Sequence, residues 1–344
     1  MWGLIAVFLT AFALTPVLLS HDAFSYVDYA RLGVVHGLDP YVYAPNAAPG
    51  DPVFADVTWT ESTSAYGPLF TLVTYPLAWL PVGVAVAVLK AVAALSVAAL
   101  ALLVARIAAW RGLDPLRAAA FLALNPLVLV HVVGGAHNDA LTMLLAMFGV
   151  AAALAGLQAT SGASLVAAVA TKASALTLLP FPLLANLRLM GLKRHHASRF
   201  RPINLFLAGA LGAAALIGVA AYLGFGWDWT HAFGLAGENQ DRTSYMSVPI
   251  TFARLTGLDA DPVRAVALVL YGLAFAALLV WTWRGGDWVR AAAWASFGLL
   301  LATSWLLPWY LIWALPLVAI SRDRPLALLT LGLTAYQLGA RIPL

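Results

Sequence analysis

Cysteine is absent from the 344 residues, which excludes disulfide staples and thiolate metal sites. Charge is scarce as well. Only 10% of the residues are Asp, Glu, Lys or Arg, against about a quarter in an ordinary soluble domain. Short alternating apolar and polar segments are missing, and with them the pattern of a membrane β-barrel. There is no basic patch: the formal charge of +4 comes from residues scattered through short loops, so nucleic acid is not an expected partner. Residues 2–19 have no basic segment before them and no small-residue cleavage site after them. They read as a retained first helix rather than a signal peptide.

What remains is apolar. Hydrophobic residues make up 62% of the chain, and the mean hydropathy is +0.88. Runs of roughly twenty apolar residues, long enough to cross a bilayer as helices, fall near 2–19, 82–110, 116–133, 139–157, 164–185, 204–224, 263–283, 290–306, 308–320 and 325–340. The expected fold is an all-α, polytopic transmembrane helical bundle in the plasma membrane, a single domain over residues 1–344. Residues 68–80 are apolar but short and bracketed by Pro68 and Pro81, which predicts an interfacial or re-entrant piece.

Lys and Arg in short loops mark the cytoplasmic side. That rule places four loops there: Arg106, Arg111 and Arg117; Arg188, Lys193, Arg194, Arg199 and Arg201; Arg284 and Arg290; Arg322 and Arg324. A single crossing by 164–185 would put the first two loops on opposite sides. The conflict disappears if this run enters and returns, and Ala-Thr-Lys-Ala-Ser at 170–174 with Pro180 and Pro182 supplies the breaks. A hairpin with Lys172 near its tip, reaching towards the outer side, is therefore expected. Of the 15 acids, only Asp114, Asp287 and Asp323 then lie in cytoplasmic loops. Acids gathered on one face suit the binding of sugar hydroxyls, although merely hydrophilic loops give the same count.

Three extracytoplasmic loops follow, at about 20–67, 134–139 and 225–262. The first is about 48 residues long, and long ordered loops usually carry function. Its start, with Asp22, Tyr26 and Tyr29 at helical spacing, predicts a juxtamembrane helix, ended by Gly37-Leu38-Asp39-Pro40-Tyr41. Asp22 and Asp28 are ionisable groups at a membrane surface, expensive to keep and read as functional. Trp59 and Tyr66 belong to the same loop; a structural cap over the bundle is the alternative role. In Gly134-Gly135-Ala136-His137-Asn138-Asp139, the glycines permit close backbone approach. His137, Asn138 and Asp139 suit hydrogen bonding to a polar substrate, with helix capping the competing reading. Two metal-ligand types without a third make a weak metal signal; no metal site or cofactor is assigned, and a metal-independent reaction is expected. Lys172 at a hairpin tip and Arg242, in Glu238-Asn239-Gln240-Asp241-Arg242, are candidates for a lipid phosphate, an exposed arginine being the alternative for Arg242. Lys90, inside an apolar run, snorkels or pairs with an acid. Trp305, Trp309 and Tyr310 read as interfacial anchors, with stacking on a sugar or isoprenoid the alternative.

Taken together, Asp22-x-x-Ser25-Tyr26, Gly37-x-Asp39-Pro40-Tyr41, Ser64-Ala65-Tyr66-Gly67-Pro68, Asn125-Pro126 and Gly134 to Asp139 resemble the actinobacterial polyprenyl-phosphomannose-dependent α-1,6-mannosyltransferases, members of the C-type glycosyltransferase superfamily. The likeness is strongest over 21–68 and 124–143, with weaker support from Lys172 and from Thr303 to Pro316. It implies a polyprenyl-phosphate-linked sugar donor, a mannan-type glycolipid or polysaccharide acceptor, and a site on the extracytoplasmic face. It also implies a catalytic carboxylate in the first outer loop, which falls on Asp22. Inverting transfer follows: Asp22 takes the acceptor hydroxyl's proton, and the phosphate leaves without needing one. Tyr26, Asp28, Tyr66, His137, Asn138 and Asp139 would then bind substrate, and Lys172 and Arg242 the phosphate. A glucose or arabinofuranose transferase using the same donor type remains open, as does a transporter or flippase for a lipid-linked sugar. No internal repeat of the kind transporters show is visible.

Overall fold

The computed structural model describes residues 1–192, 201–238 and 241–339. Lys193, Arg194 and Arg199 of the second basic loop, and Asn239 and Gln240 near Arg242, lie outside the described residues, as does the side chain of Arg201. All regular structure among the described residues is helical. The chain runs through α1 (Trp2–Leu14), α2 (Asp22–Val34), a long loop, α3 (Pro68–Thr74), α4 (Val82–Trp110), α5 (Pro115–Ala123), α6 (Asp139–Leu154), α7 (Gln158–Thr171) and α8 (Pro180–Leu192). It continues through α9 (Arg201–Phe225), α10 (His231–Glu238), α11 (Val248–Thr256), α12 (Ala260–Trp283), α13 (Trp288–Ala302), α14 (Leu315–Ile320) and α15 (Arg324–Gly339).

Among the described residues, three helices are long and apolar enough to cross a membrane by themselves: α4, Pro202–Phe225 of α9, and α12. Along the apolar stretch of α12 no residue is buried in the protein. A helix hydrophobic all round with nothing against its outer face is solvated by lipid. Several other apolar runs are broken, because each contains a residue that cannot continue a helix. Pro126 separates α5 from a π-helical turn, Val128–Val133, and Asn125 satisfies the break by accepting from the Leu127 N–H (3.0 Å) and donating to Thr334 (3.1 Å). Residues 308–320 form a 3-10 turn, Pro308–Trp313, before α14. The run at 68–80 is α3 followed by a 3-10 turn, Tyr75–Trp79, short and proline-started as expected.

Basic loops far apart in sequence meet at one end. Arg111 pairs with Asp287 and donates to the Ile320 carbonyl (2.7 Å), and Arg290 and Trp294 both donate to Asp323 (2.7 and 2.8 Å). Arg188 packs directly against Gly285. The hairpin around Lys172 runs from that end to the other and back. Asn186 on α8 donates to Gln158 at the start of α7 (2.7 Å), so those residues share a level while Lys172 sits at the far turn. It is deeper than the sequence suggests, spanning α7, the 3-10 turn Ala173–Leu178 and α8, because the backbone breaks at Lys172 itself, in an extended conformation (φ −156°). Lys90 on α4 neither snorkels nor meets an acid. Its ammonium donates to the Thr15 carbonyl and hydroxyl and to the Pro16 carbonyl (2.9 Å), capping the C-terminus of α1, where the helix dipole favours a cation.

Glycines set the spacing of the hairpin. A Cβ on Gly209 of α9 would lie 1.9 Å from the Ala159 carbonyl oxygen of α7, and one on Gly162 would lie 2.2 Å from that of Phe206. Backbone is in contact with backbone, and no rotamer change can relieve an added side chain. Gly209→Val is expected to lower thermal stability by at least about 1–3 kcal/mol, the usual cost of overpacking, measured as a fall in the unfolding midpoint of detergent-solubilised protein.

The first loop is fastened by one buried carboxylate. Asp51 accepts from Arg31 (2.8 and 3.0 Å), His36 (2.7 Å) and the Val53 N–H (3.0 Å), and Arg31 also donates to the Ala78 carbonyl (2.8 Å). Burial opposes ionisation of Asp51, but these hydrogen bonds outweigh it and hold the carboxyl below its usual value. Asp28 lies beside this cluster, buried, with Oδ2 lacking a protein partner. Burial and then the charge of Asp51 push its carboxyl up to about 7. That lies above the unfolded value of 3.8, so the folded protein keeps a proton that the unfolded chain has released, and stability falls as pH rises from about 4 through 7. Asp28→Asn cannot ionise. It is expected to unfold at a higher temperature than the wild type at pH 8, the gap closing as pH falls and vanishing near pH 4. A gap independent of pH would refute the account.

Candidate active site

At the end opposite the basic loops, α2 begins with Asp22. The N-terminus of a helix favours a carboxylate there. Helical repetition of 100° per residue puts Asp22, Tyr26 and Tyr29 on one stripe and turns Asp28 about 120° away, towards Asp51. The Gly134-Gly135-Ala136 turn brings a second element beside Asp22. A Cβ on Gly134 would strike the Val130 carbonyl and Leu18, and Leu18 donates to the Gly134 carbonyl (3.0 Å). This close approach seats His137 behind Asp22, with Nδ1 3.5 Å from Oδ2. Gly67 does the same for the end of the first loop. Its N–H donates to the Thr171 carbonyl (3.1 Å), and an added Cβ would lie 2.1 Å from that of Ala170, so Tyr66 is delivered to Lys172.

Two carboxylates stand at the centre. Asp139, at the first position of α6, is fully buried and receives Lys172 Nζ on both oxygens (2.8 Å each) and the Trp313 indole N–H (2.6 Å). The ammonium also lies over the rings of Tyr310 (5.3 Å), Trp313 (5.7 Å) and Tyr66 (5.9 Å). Asp22 is bonded less completely: Oδ1 accepts from the Trp59 indole (3.1 Å), and the side chain keeps 14% of its surface exposed to a cavity. Burial raises its carboxyl above the ordinary range, an effect reduced by the Trp59 bond and the Lys172 charge and reinforced by Asp139. Burial and then Lys172 hold His137 well below the usual imidazole value, so it stays neutral.

The cavity measures about 330 Å³. Trp59, Tyr66, Trp305, Trp309, Tyr310 and Trp313 form its aromatic walls, and Asp22, Lys172 and Arg242 supply its charge. The Arg242 guanidinium lies over Trp59 (5.0 Å) and Trp305 (5.9 Å) and reaches Ser62 (3.5 Å), with no carboxylate partner among the described residues. A part-exposed carboxylate can take a proton from a hydroxyl, an uncommitted arginine can hold a phosphate, and flat aromatic faces suit a pyranose ring.

Of the residues singled out from the sequence, Asp22, Tyr66, Lys172 and Arg242 line this cavity. Tyr26, His137, Asn138 and Asp139 lie buried immediately behind it, and Asp28 faces the Asp51 cluster. Asn138 occupies the N-cap position of α6 without making a cap bond. Its amide atoms, the Tyr26 hydroxyl and both His137 nitrogens have no protein partner within bonding distance. Trp305, Trp309 and Tyr310 do not lie in the lipid interface as their sequence reading favours. The chain breaks at Thr303 and turns them inward, where Trp309 stacks on His137 (3.7 Å) and Tyr310 on Trp313 (4.1 Å). Tyr29 lines the site from the stripe of α2 that its helical spacing with Asp22 predicts, and Trp59 and Trp313 line it with no sequence signal beyond being aromatic. The one available hint was the spacing of Trp309, Tyr310 and Trp313 along a short turn.

Residues 1–188 match the family model described as "Alpha-(1->6)-mannopyranosyltransferase, N-terminal domain". The chain is 31% identical to the alpha-(1->6)-mannopyranosyltransferase A of Mycobacterium tuberculosis over 90% of its own length and 64% of that protein's. It is 28% identical to a probable alpha-(1->6)-mannopyranosyltransferase of Mycolicibacterium smegmatis, over 91% of this chain and 63% of the relative. It therefore spans somewhat less than two thirds of these relatives' lengths. No solved structure matches it. With 188 of 344 residues covered by the family model, the chain belongs to the alpha-(1->6)-mannopyranosyltransferase family.

Proposed function

We propose that this chain transfers mannose from a polyprenyl-phosphate donor to a mannan-type glycolipid or polysaccharide, forming an α-1,6 linkage with inversion. The observation that carries the reading is a part-exposed carboxylate, Asp22, and an uncommitted guanidinium, Arg242, in one aromatic cavity of a chain from this family. Asp22 accepts the proton of the acceptor hydroxyl as its oxygen bonds to the anomeric carbon. The bond from that carbon to the phosphate oxygen breaks on the opposite face, and the electron pair leaves with the polyprenyl phosphate. Arg242 holds that anion, and Lys172 adds a second positive charge to the same pocket while neutralising Asp139. A leaving phosphate needs no proton, so one base suffices. The protein is a multi-pass plasma-membrane enzyme with this cavity on the extracytoplasmic face; support comes from the basic loops gathered at the opposite end.

No role in the transfer is assigned to a metal. Among the described residues no three His, Asp or Glu side chains converge, and Lys172 and Trp313 already occupy the oxygens of Asp139.

The test uses the protein in detergent or nanodiscs with polyprenyl-phosphate mannose and a short α-1,6-mannoside. Asp22→Asn is expected to reduce kcat by about 10²–10⁴-fold, the usual worth of a general base. Retained activity in that variant removes Asp22 as the base. In the wild type, kcat/KM should fall on the acid side at a pH above the ordinary carboxylate range, because burial raises the Asp22 carboxyl and the base must be ionised. Arg242→Ala is expected to raise the donor KM about tenfold or more, as loss of a charged hydrogen-bond donor does. Chelation of divalent cations should leave the rate unchanged. Preference for another sugar donor would reassign the substrate, and movement of the intact donor across vesicles without transfer would identify a transporter.

A further inference from the structure

Trp59 touches both halves of the proposed site. The edge of its indole donates to Asp22 Oδ1 (3.1 Å), and its face lies 5.0 Å beneath the Arg242 guanidinium. Trp305 meets it edge to face (6.2 Å) and covers the same arginine, so the guanidinium rests between two indoles. Asp22 and Trp59 are 37 residues apart, joined through the first loop, which is also fastened at Asp51 and Tyr66, by the Tyr29 hydroxyl on the Ser62 carbonyl (2.8 Å) and by the Gly67 N–H on the Thr171 carbonyl (3.1 Å). The Ser20 hydroxyl also favours the ionised form of the Asp22 carboxylate, more weakly than the Trp59 bond, and His137 stands off at 3.5 Å.

An unrestrained carboxylate here would be drawn to Lys172, whose charge Asp22 feels. In that orientation its oxygens would be spent on an ammonium instead of an incoming hydroxyl. The Trp59 N–H opposes the rotation. Its ring simultaneously sets the height and tilt of Arg242, an attraction worth more where water is excluded.

Resting on the reading of Asp22 as base and Arg242 as phosphate ligand, we propose that Trp59 is the positioning residue that couples the two. Its N–H fixes the carboxylate for the acceptor, and its face seats the guanidinium for the donor. Substitutions separate these duties. Trp59→Phe keeps an aromatic face and loses the N–H; Trp59→Leu loses both.

Trp59→Phe is expected to lower kcat about ten- to a hundredfold, the worth of a hydrogen bond to a charged group, with the donor KM little changed. The acid limb of kcat/KM should move to higher pH, because the lost N–H favoured the ionised carboxylate. Trp59→Leu should show the same limb and, in addition, a donor KM raised roughly fivefold through the lost cation–π contact. A merely structural tryptophan would lower stability and yield without moving the limb or splitting the two variants. An unmoved acid limb in Trp59→Phe, or equal donor KM values in the two variants, overturns the proposal. A second measurement leaves residue 59 intact. In 15N-tryptophan-labelled wild type, one indole N–H signal should shift with pH at the midpoint of the acid limb and stay still in Asp22→Asn; absence of such a signal also overturns it. Full activity in Asp22→Asn would instead overturn the assignment of the base, whatever Trp59 does.

Discussion

A lysine and an aspartate share one buried contact at the centre of the site, and the rest of the site is arranged around it. Asp139 is sealed from solvent and cannot be carried ionised without a partner. Lys172 supplies both required bonds, the Trp313 indole a third, and three aromatic faces enclose the ammonium. The contact ties the start of α6 to the break after α7, and through Tyr66 and Trp313 it binds the first loop and the 308–313 turn. It leaves Asp22 as the less satisfied of two neighbouring carboxylates. Such a division, with one acid neutralised and one held in reserve with a raised carboxyl, suits a base.

The second constraint is the lipid. Outside the cavity, apolar faces such as that of α12 have no protein covering them, while ion pairs gather at the two ends and Lys90, within α4, is spent on the end of α1. The hairpin around Lys172 reconciles this with the basic loops. By returning to its starting level it keeps the loops at 106–117, 188 and 284–290 together, and it carries one lysine across to the opposite end. Glycines at 67, 162 and 209 let backbones approach closely enough to hold that turn against its neighbours. Position and chemistry therefore share one device: the break that turns the chain is also the residue that neutralises Asp139.

Much of this was legible beforehand. Asp22 stood out because a carboxylate beside a membrane helix is costly, and Lys172 because alternation of basic loops failed without a turn there. Asp28 was harder to judge: it shares a helix with Asp22, and the 100° repeat alone shows that the two face apart. His137 and Asn138 were recognisable as polar residues in a glycine turn, but sequence carries no measure of whether such groups front a cavity or stand behind it. The aromatics at 305, 309 and 310 face the cavity, against their sequence reading; tryptophan at a helix end serves lipid and ligand equally well. The inward turn after Thr303 depends on packing against His137, far away in the chain.

Composition, charge distribution and the placement of proline, glycine and lysine by themselves determined a helical membrane bundle with its basic loops at one end. Those properties follow from local rules of solvation and backbone geometry. Tertiary structure decided the rest: which carboxylate is paired with a lysine, which arginine has no carboxylate partner, and which indole bonds the part-exposed aspartate. Each of these depends on side chains 33 to 180 residues apart converging within hydrogen-bond distance, and no local preference encodes that convergence.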